Sequence, residues 1–244
     1  MRILLTNDDG VHAPGIKALF LALKDYHEVT LIAPNINKSA ASSSLTLTNP
    51  LRIEKLEENI YSLNGTPSDC ARIGLEFLDN KVDMIVSGIN NGENLGDDAL
   101  YSGTIGAALE GRYLNKISLA ISLVGTSKAN YNFAADYIKD LIPKIKNLQI
   151  ESKLLNINIP DINPKDIKGY KVTKLGKRLA HGFIKKSKDV ADKDIYWIGA
   201  VHPNTTQDDN DFIAIQNNYI SITPLQIDMT SYNSFETLKS TFEK

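Results

Sequence analysis

The chain is expected to be an α/β protein: a mostly parallel sheet with helices on both faces, extended by a β-rich C-terminal part that ends in a short helix. Three observations predict this. Up to about Pro160, short apolar runs alternate with stretches whose apolar residues recur at helical spacing, the pattern of repeated β-α-β units. The segments after the runs ending at Leu5, Ala33 and Val86 are rich in Gly, Asn, Asp and Ser, as loops at the carboxyl edge of such a sheet would be. Beyond Pro160 the helical period fades and strand-like runs dominate.

Taken in order, Ile3 to Leu5 reads as a buried strand that runs out into Thr6-Asn-Asp-Asp-Gly10. Pro14 suits the first position of a helix, and Ile16, Leu19, Phe20 and Leu23 form its apolar stripe. Val29 to Ala33 is a second strand, ending at Pro34. Asn35 to Ser44 is a polar, serine-rich loop, and Leu45 to Leu63 shows short alternating pieces that suit strands or a hairpin. Thr66-Pro-Ser-Asp69 opens a helix: Thr66 as cap, Pro67 in the first turn, Asp69 three residues on. Cys70, Ile73 and Phe77 continue its inner face. Met84 to Val86 is a strand, and a glycine-rich loop is expected to begin at Ser87. Ile105, Ala108 and Leu109 mark the next helix, and Leu119 to Val124 a further strand. Tyr137, Ile138, Leu141, Ile142 and Ile145 stripe another helix, and Leu154 to Ile159 is the last core strand. Tyr170 to Leu175, Ile195 to Val201 and Phe212 to Pro224 read as strands, with Lys185 to Asp194 as a charged arm. Asn233 and Glu236 suit a capping box for a final helix with Phe235, Leu238 and Phe242 on one face.

Composition bounds the function. The 244 residues suffice for one large α/β domain, and 42% apolar with 23% charged residues is ordinary for a globular protein. A formal net charge of -2 gives no reason to expect a nucleic acid polymer as partner. No apolar run approaches the roughly 20 residues of a membrane span, and no apolar leader precedes Asp8. Cys70 is the one cysteine, which excludes an internal disulfide and points to the cytoplasm.

Asp8 and Asp9 carry the first chemical signal. Two adjacent carboxylates at the end of a buried strand repel unless a positive group lies between them, and a divalent cation bound by hard oxygen ligands is the simplest such group. Neighbouring strand residues point to opposite faces, so both acids reach one ion only if the backbone has turned, which Gly10 permits. An isolated Asp-Gly would signify only a turn. Ser39, in the loop after the second strand, offers a hydroxyl that suits Mg²⁺ or Mn²⁺ when carboxylates supply the charge, although turn chemistry alone explains a loop serine.

Ser87-Gly-Ile-Asn-Asn-Gly-Glu-Asn-Leu-Gly-Asp-Asp98 follows a strand on the same edge. Its Asn90, Asn91 and Asn94 supply neutral oxygen ligands or amide donors. Tyr101-Ser-Gly-Thr-Ile-Gly106 then opens a helix whose first N–H groups, with Ser102 and Thr104, form an anion site that needs no lysine. A cation at the acid pair beside an anion at Ser102-Gly103-Thr104 fits phosphoryl transfer, in which positioning and charge stabilisation do most of the work. His12 is close enough in sequence to be a proton donor or simply a loop histidine. His27, His181 and His202 show no metal spacing, Cys70 reads as an inert core thiol, and Tyr196 and Trp197 as arm packing.

These segments resemble the SurE nucleotidases. Thr6-Asn-Asp-Asp-Gly-Val-His-Ala-Pro-Gly15, Gly65-Thr-Pro-Ser-Asp-Cys70, Ser87-Gly-Ile-Asn90, Asn94-Leu-Gly-Asp-Asp98, Tyr101-Ser-Gly-Thr104 and Tyr219-Ile-Ser-Ile-Thr-Pro-Leu225 all match, in order along nearly the whole chain. The resemblance implies a metal-dependent phosphatase acting on nucleoside monophosphates at the 5′ or 3′ position, with some members also cleaving short polyphosphate. It implies one divalent ion per subunit, Mg²⁺ or Mn²⁺, on Asp8, Asp9, Ser39 and Asn90. Asn94, Ser102, Gly103 and Thr104 would hold the phosphate. Asp8 and Asp9 are the expected catalytic pair, with Asp8 preferred as the group that orients or deprotonates the attacking water. It further implies a Rossmann-like three-layer core over residues 1–165 of a single 244-residue domain, and a β-arm and C-terminal helix over 166–244 that join subunits into a homodimer or homotetramer. Glu93 departs from the pattern, as its position is often uncharged in relatives and here adds negative charge beside the anion site.

Other readings fit less well. A phospho-acceptor domain would need an acceptor aspartate where Ser87-Gly88 stands. An Asp-x-Asp phosphatase would need an acid where Gly10 stands, and a dinucleotide oxidoreductase would need Gly-x-Gly-x-x-Gly after the first strand. A non-catalytic nucleotide sensor would differ from an enzyme only in failing to release phosphate over multiple turnovers.

Overall fold

A computed structural model of the chain describes residues 1–125, 130–178, 182–199, 203–204 and 209–243. The strands are β1 (Arg2–Thr6), β2 (Glu28–Pro34), β3 (Ile53–Glu57), β4 (Ile60–Leu63), β5 (Met84–Asn91), β6 (Ser118–Val124), β7 (Leu154–Pro160), β8 (Tyr170–Val172), β9 (Lys177–Arg178), β10 (Ile184–Lys188), β11 (Asp194–Ile198), β12 (Pro203–Asn204) and β13 (Ile220–Leu225). The helices are α1 (Pro14–Leu23), α2 (Pro67–Phe77), α3 (Gly103–Leu109), α4 (Tyr131–Ile145), α5 (Asp211–Gln216) and α6 (Tyr232–Phe242).

Nine strands form one sheet in the order β3-β4-β2-β1-β5-β6-β7-β13-β8. The run from β4 to β7 is parallel throughout, while β3 and β13 pair antiparallel with β4 and β7. The strand order reverses direction at β1: the chain builds outward through β2 on one side and through β5 on the other. The crevice of an open α/β sheet opens at such a point, at the carboxyl ends of the strands.

Strand alternation separates two cores. Ile3, Leu5, Met84 and Val86 face α1 and α4, where Ile16, Leu19, Ile138 and Ile142 are also fully buried. Leu4 and Ile85 face the other way, against Cys70, Ala71 and Leu75 of α2 and Ala107 of α3. Each fully buried Leu or Ile contributes about 1.5–3 kcal/mol, so this packing holds the register of β1 against β5. The predicted start of α2 is present in full: Thr66 Oγ1 accepts from the Asp69 N–H at 3.1 Å, and Asp69 accepts from the Thr66 N–H at 2.9 Å.

Four expectations differ in detail. The segment expected to become a loop at Ser87 remains strand as far as Asn91. Leu45 to Leu63 does contain the expected hairpin, β3-β4, whose second strand joins the main sheet beside β2. The run from Phe212 contains the short helix α5, because the Asn210 side chain caps it by accepting from the Ile213 N–H at 2.9 Å. The last helix starts after Ser231, without a side-chain cap, so Asn233 and Glu236 lie within it. The expected strand to Val201 ends at Ile198, and Val201, His181 and His202 lie outside the described residues. Among the described residues, no helix is long and apolar enough to cross a membrane.

Candidate active site

The turn after β1 is built by Asn7. Its buried side chain donates to the Gly10 carbonyl at 3.0 Å and accepts from the Gly10 N–H at 3.1 Å, closing a loop around Asp8 and Asp9. Asn7 therefore supplies the bend that consecutive acids need in order to converge. The loop after β2 is tied to the same turn: the Lys38 N–H donates to the Asp8 carbonyl at 2.7 Å, and Val11 N–H to the Pro34 carbonyl at 2.8 Å. Asn37 reaches Asp9 Oδ1 weakly at 3.4 Å and accepts from the Ser39 N–H at 2.8 Å, which leaves the exposed Ser39 hydroxyl at the rim.

β5 supplies the opposite wall. Its pairing with β6 shifts between Ser87 and Asn90, a bulge of the kind that re-aims a side chain. Gly88 makes this possible: its φ is +135°, and a Cβ there would stand 2.4 Å from the Ile121 carbonyl oxygen. Beyond it the Asn91 N–H donates to Asp9 Oδ2 at 2.9 Å, a bond that crosses the sheet's reversal point. The Asn90 amide nitrogen donates to the Gly92 carbonyl at 2.9 Å, which leaves its Oδ1 as the atom open to a cation.

α3 closes the third side. Thr104, fully buried, donates its hydroxyl proton to Asp8 Oδ1 at 2.6 Å. Ser102 caps the helix by accepting from the Ile105 N–H at 3.1 Å, so its own proton is free to be donated outward. The backbone of Gly103 lies against Asp8: a Cβ at this position would be 2.9 Å from Asp8 Cβ and 3.1 Å from Oδ2. Asp8 thus meets Gly103 and Thr104, while Asp9 is tied to Asn91, next to Asn90, and to Asn37 of the Ser39 loop.

Asn94 is held differently. It is buried, and its side-chain amide donates to Ser122 Oγ at 2.8 Å. Its N–H donates to Asn158 Oδ1 at 2.9 Å, and its carbonyl accepts from Asn156 and Asn158 at 2.8 and 3.2 Å. These two asparagines were not singled out from the sequence. Their signal was there, since they interrupt the apolar run of β7 at alternate positions and so share one face.

The electrostatics of the pair are unfavourable by themselves. Burial holds the Asp8 carboxyl above its usual range. The Thr104 hydroxyl pulls it back and the neighbouring Asp9 charge pushes it further up. Asp9 is raised by burial too, opposed by the Asn91 N–H. Among the described residues no cationic side chain acts on either. Tyr131, at the start of α4, is a further group missed from sequence. Burial, then Asp9 and Asp161, push its phenol up to about 12, so it stays protonated. His12 is exposed. Among the described residues, no three His, Cys, Asp or Glu side chains converge, so any cation here would rest on two carboxylates and neutral oxygens.

Comparison with known proteins shows the family. The profile of the family described as "Survival protein SurE" matches residues 3–182. The 5′-nucleotidase SurE of Histophilus somni (strain 2336) is 48% identical over 247 residues, covering 100% of both chains. That of Haemophilus influenzae (strain 86-028NP) is 47% identical, covering 100% of this chain and 98% of its own. The crystal structure of the SurE protein from Aquifex aeolicus superposes with a TM-score of 0.87 at 38% identity, covering 99% of each chain.

Proposed function

The chain belongs to the SurE family, and from that premise we propose that it hydrolyses nucleoside 5′-monophosphates to nucleoside and phosphate at the carboxyl edge of β1 and β5. One observation carries this: Asp8 and Asp9 are adjacent in a turn at the carboxyl edge, held by α3 and β5, raised by burial, and offset among the described residues by hydroxyl and N–H dipoles alone. Such a pair is costly to keep unless a cation and an anionic substrate complete it.

The donor set suits a divalent ion, Mg²⁺ or Mn²⁺, one per subunit. Asp8 and Asp9 supply charge, and Asn90 Oδ1 and the Ser39 hydroxyl supply neutral oxygens. When bound, such an ion neutralises charge, polarises a phosphoryl oxygen and eases deprotonation of water. The chain's own groups do the rest. Asp8 Oδ1 is fixed by Thr104, so Oδ2, on the Gly103 side, is the oxygen that orients the attacking water and takes its proton. Ser102 donates its hydroxyl to a phosphate oxygen. The Gly103 N–H, which has no partner within its own helix, donates to another. The Asn94 amide spends one N–H on Ser122 and keeps a second for the phosphate.

Because the recognised unit is a terminal phosphoryl group, 3′-monophosphates and short polyphosphate are included in the proposal; a cytoplasmic location is included because Cys70 is the one cysteine. Residues 1–165 act as the catalytic core and 166–244 as the arm that joins subunits in a homodimer or homotetramer. What supports this last point is unpartnered apolar surface: Phe235, Leu238 and Phe242 of α6 and Trp197 and Ile198 of β11 are all exposed. A two-stranded hairpin such as β10-β11 is marginal without cover.

The test is phosphate release from a panel of nucleotides with Mn²⁺ or Mg²⁺, by wild type and by Asp8→Asn and Asp9→Asn. Loss of turnover in both variants is expected. Full activity in both would end the assignment. Light scattering of the intact chain tests the assembly, with a monomer as the adverse result.

A further inference from the structure

The loop Gly92–Asp98 carries Asn94 and follows directly on β5, which holds Asn90, yet much of what holds the loop comes from some 80 or more residues later in the chain. The Arg178 guanidinium donates from Nε to Asp98 Oδ1 at 2.8 Å and from Nη2 to Asp98 Oδ2, a two-pronged pairing. The same Nη2 stands 3.9 Å from Glu93 Oε1. The Arg178 backbone N–H donates to Asp97 Oδ2 at 3.0 Å. Glu93 and Asp98 flank the segment Asn94 to Asp97, so one guanidinium spans both of its ends. Between them the Gly96 N–H donates to Asp211 Oδ2 at 2.8 Å, while Asp211 Oδ1 accepts from the Gly176 N–H at 2.9 Å.

We propose that Arg178 is a positioning residue for the phosphate-binding loop, clasping it from the C-terminal part of the chain. The inference rests on the site assignment above. Geometry sets this ion pair apart from an ordinary surface bridge. The Arg178 side chain is 11% exposed and lies over the Phe212 ring, 5.3 Å from its centre. Exposed pairs are worth little, whereas forked and desolvated ones are not. Asn94 is therefore gripped from two sides: by Ser122, Asn156 and Asn158 of the sheet, and by Arg178 through the loop ends.

The clasp has a second consequence. Glu93, Asp97 and Asp98 would otherwise present three carboxylates beside a site for an anion. Arg178 meets all three, through its guanidinium and its N–H. Removing the guanidinium loosens the loop and also leaves Glu93 and Asp98 without its charge, so substrate binding suffers more than turnover.

The test compares the full-length wild type with Arg178→Gln, Arg178→Lys, Asp98→Asn and the double variant Arg178→Gln/Glu93→Gln. The first readout, taken without substrate or metal, is amide hydrogen exchange. Exchange across residues 94–98 is expected to rise about tenfold in Arg178→Gln and less in Arg178→Lys, with β1 unchanged. The second readout is hydrolysis of a 5′-monophosphate with Mn²⁺, where KM is expected to rise about tenfold with kcat changed less. Adding Glu93→Gln should recover part of that KM. Unchanged loop exchange, or an unchanged KM with raised exchange, overturns the proposal. Should Arg178→Gln fail to fold, Asp98→Asn breaks one prong of the fork at lower risk and is held to the exchange criterion, unchanged exchange across residues 94–98 overturning the proposal. Failure of the hydrolase assignment would look different, as absence of phosphate release from wild type, and would leave the exchange result to stand alone.

Discussion

Gly103 is where α3, the helix proposed to hold phosphate, touches the first carboxylate, and Gly103→Ala is the most direct probe of their contact. The added methyl would lie 2.9 Å from Asp8 Cβ, 3.1 Å from Asp8 Oδ2 and 3.2 Å from Pro67 Cγ. Carbon atoms in contact settle at about 3.5–4.0 Å, so the two backbones must part by about 0.6 Å or more. Retreat toward Pro67 is blocked, because Pro67 opens α2 inside a complete capping box. Asp8 is anchored by Thr104 and by the Lys38 N–H. The displacement therefore falls on the Asp8 carboxylate or on the first turn of α3. Reacting groups held to about 0.5 Å lose of order 10- to 100-fold in kcat/KM when moved this far. Overpacking costs about 1–3 kcal/mol and the Gly→Ala change returns about 0.5–1 kcal/mol through the unfolded chain. The net loss of about 1 kcal/mol corresponds to a Tm lower by about 2–4 °C. Initial rates of phosphate release with Mn²⁺, together with a thermal melt, measure both. Gly106→Ala is the control, since its methyl would meet the Ser42 carbonyl oxygen at 2.6 Å rather than Asp8. A folded Gly103→Ala enzyme within about threefold of wild-type kcat/KM would refute the reasoning, because the misplacement should cost at least tenfold.

Three further outcomes follow from the same contacts. Without metal, Asp8 and Asp9 have folded pKa values above the ordinary 3.8, so the stability they contribute is full below that value and is lost as pH rises through the folded pKa. Metal-free Asp8→Asn/Asp9→Asn should then melt higher than wild type at pH 7, with the gap closing in acid; a lower melting point at pH 7 would contradict this. Mn²⁺ at 100 times its Kd should stabilise wild type by about 2.7 kcal/mol, seen as a rise in Tm of several degrees. The same ion should not move the double variant, and an equal rise in both would place the cation elsewhere. Thr66→Ala removes the cap of α2 and the bond from Thr66 Oγ1 to the Ser44 carbonyl at 2.7 Å. A loss of about 1 kcal/mol is expected in chemical denaturation, and no loss would mean that the box is idle.

The parts of the site that were legible in the sequence are those carried by local pattern. Asp8 and Asp9 stood out because charge doublets rarely end buried strands, and Thr66 to Asp69 because a capping box spans only four residues. Ser102 to Thr104 could be placed because helix starts have a signature. Local pattern failed where a short apolar segment fits either period. Phe212-Ile-Ala-Ile215 alternates no better as strand than as helix, and the cap at Asn210 decides it. Arg178 and Asp211 were not legible at all, because nothing near them in sequence shows that they meet residues 93–98. Glu93 illustrates the same limit. Read locally it is a repulsive charge beside an anion site, yet a distant guanidinium at 3.9 Å offsets it.

The acid pair depends finally on how two strands align. Asp9 Oδ2 meets the Asn91 N–H at 2.9 Å only because Thr6 lies opposite Ser87, with Leu5 opposite Val86 and Ile3 opposite Met84 below them. A slip of one residue would carry Asn91 about 3.3 Å along the strand and turn every side chain of β5 to the other face. The apolar residues that forbid the slip, Leu4 and Ile85 toward α2, and Ile3, Leu5, Met84 and Val86 toward α1 and α4, are all buried in the two cores. They nonetheless set where Asn90 and Asn91 stand relative to Asp8 and Asp9. A cavity-forming change at Val86, such as Val86→Ala, should therefore lower kcat/KM more than an equally destabilising change at Leu23. Both side chains are buried in the same core, but Leu23 lies at the far end of α1, away from the edge where the acids stand. Equal loss of activity at equal loss of stability would mean that the core supports the fold without tuning the site.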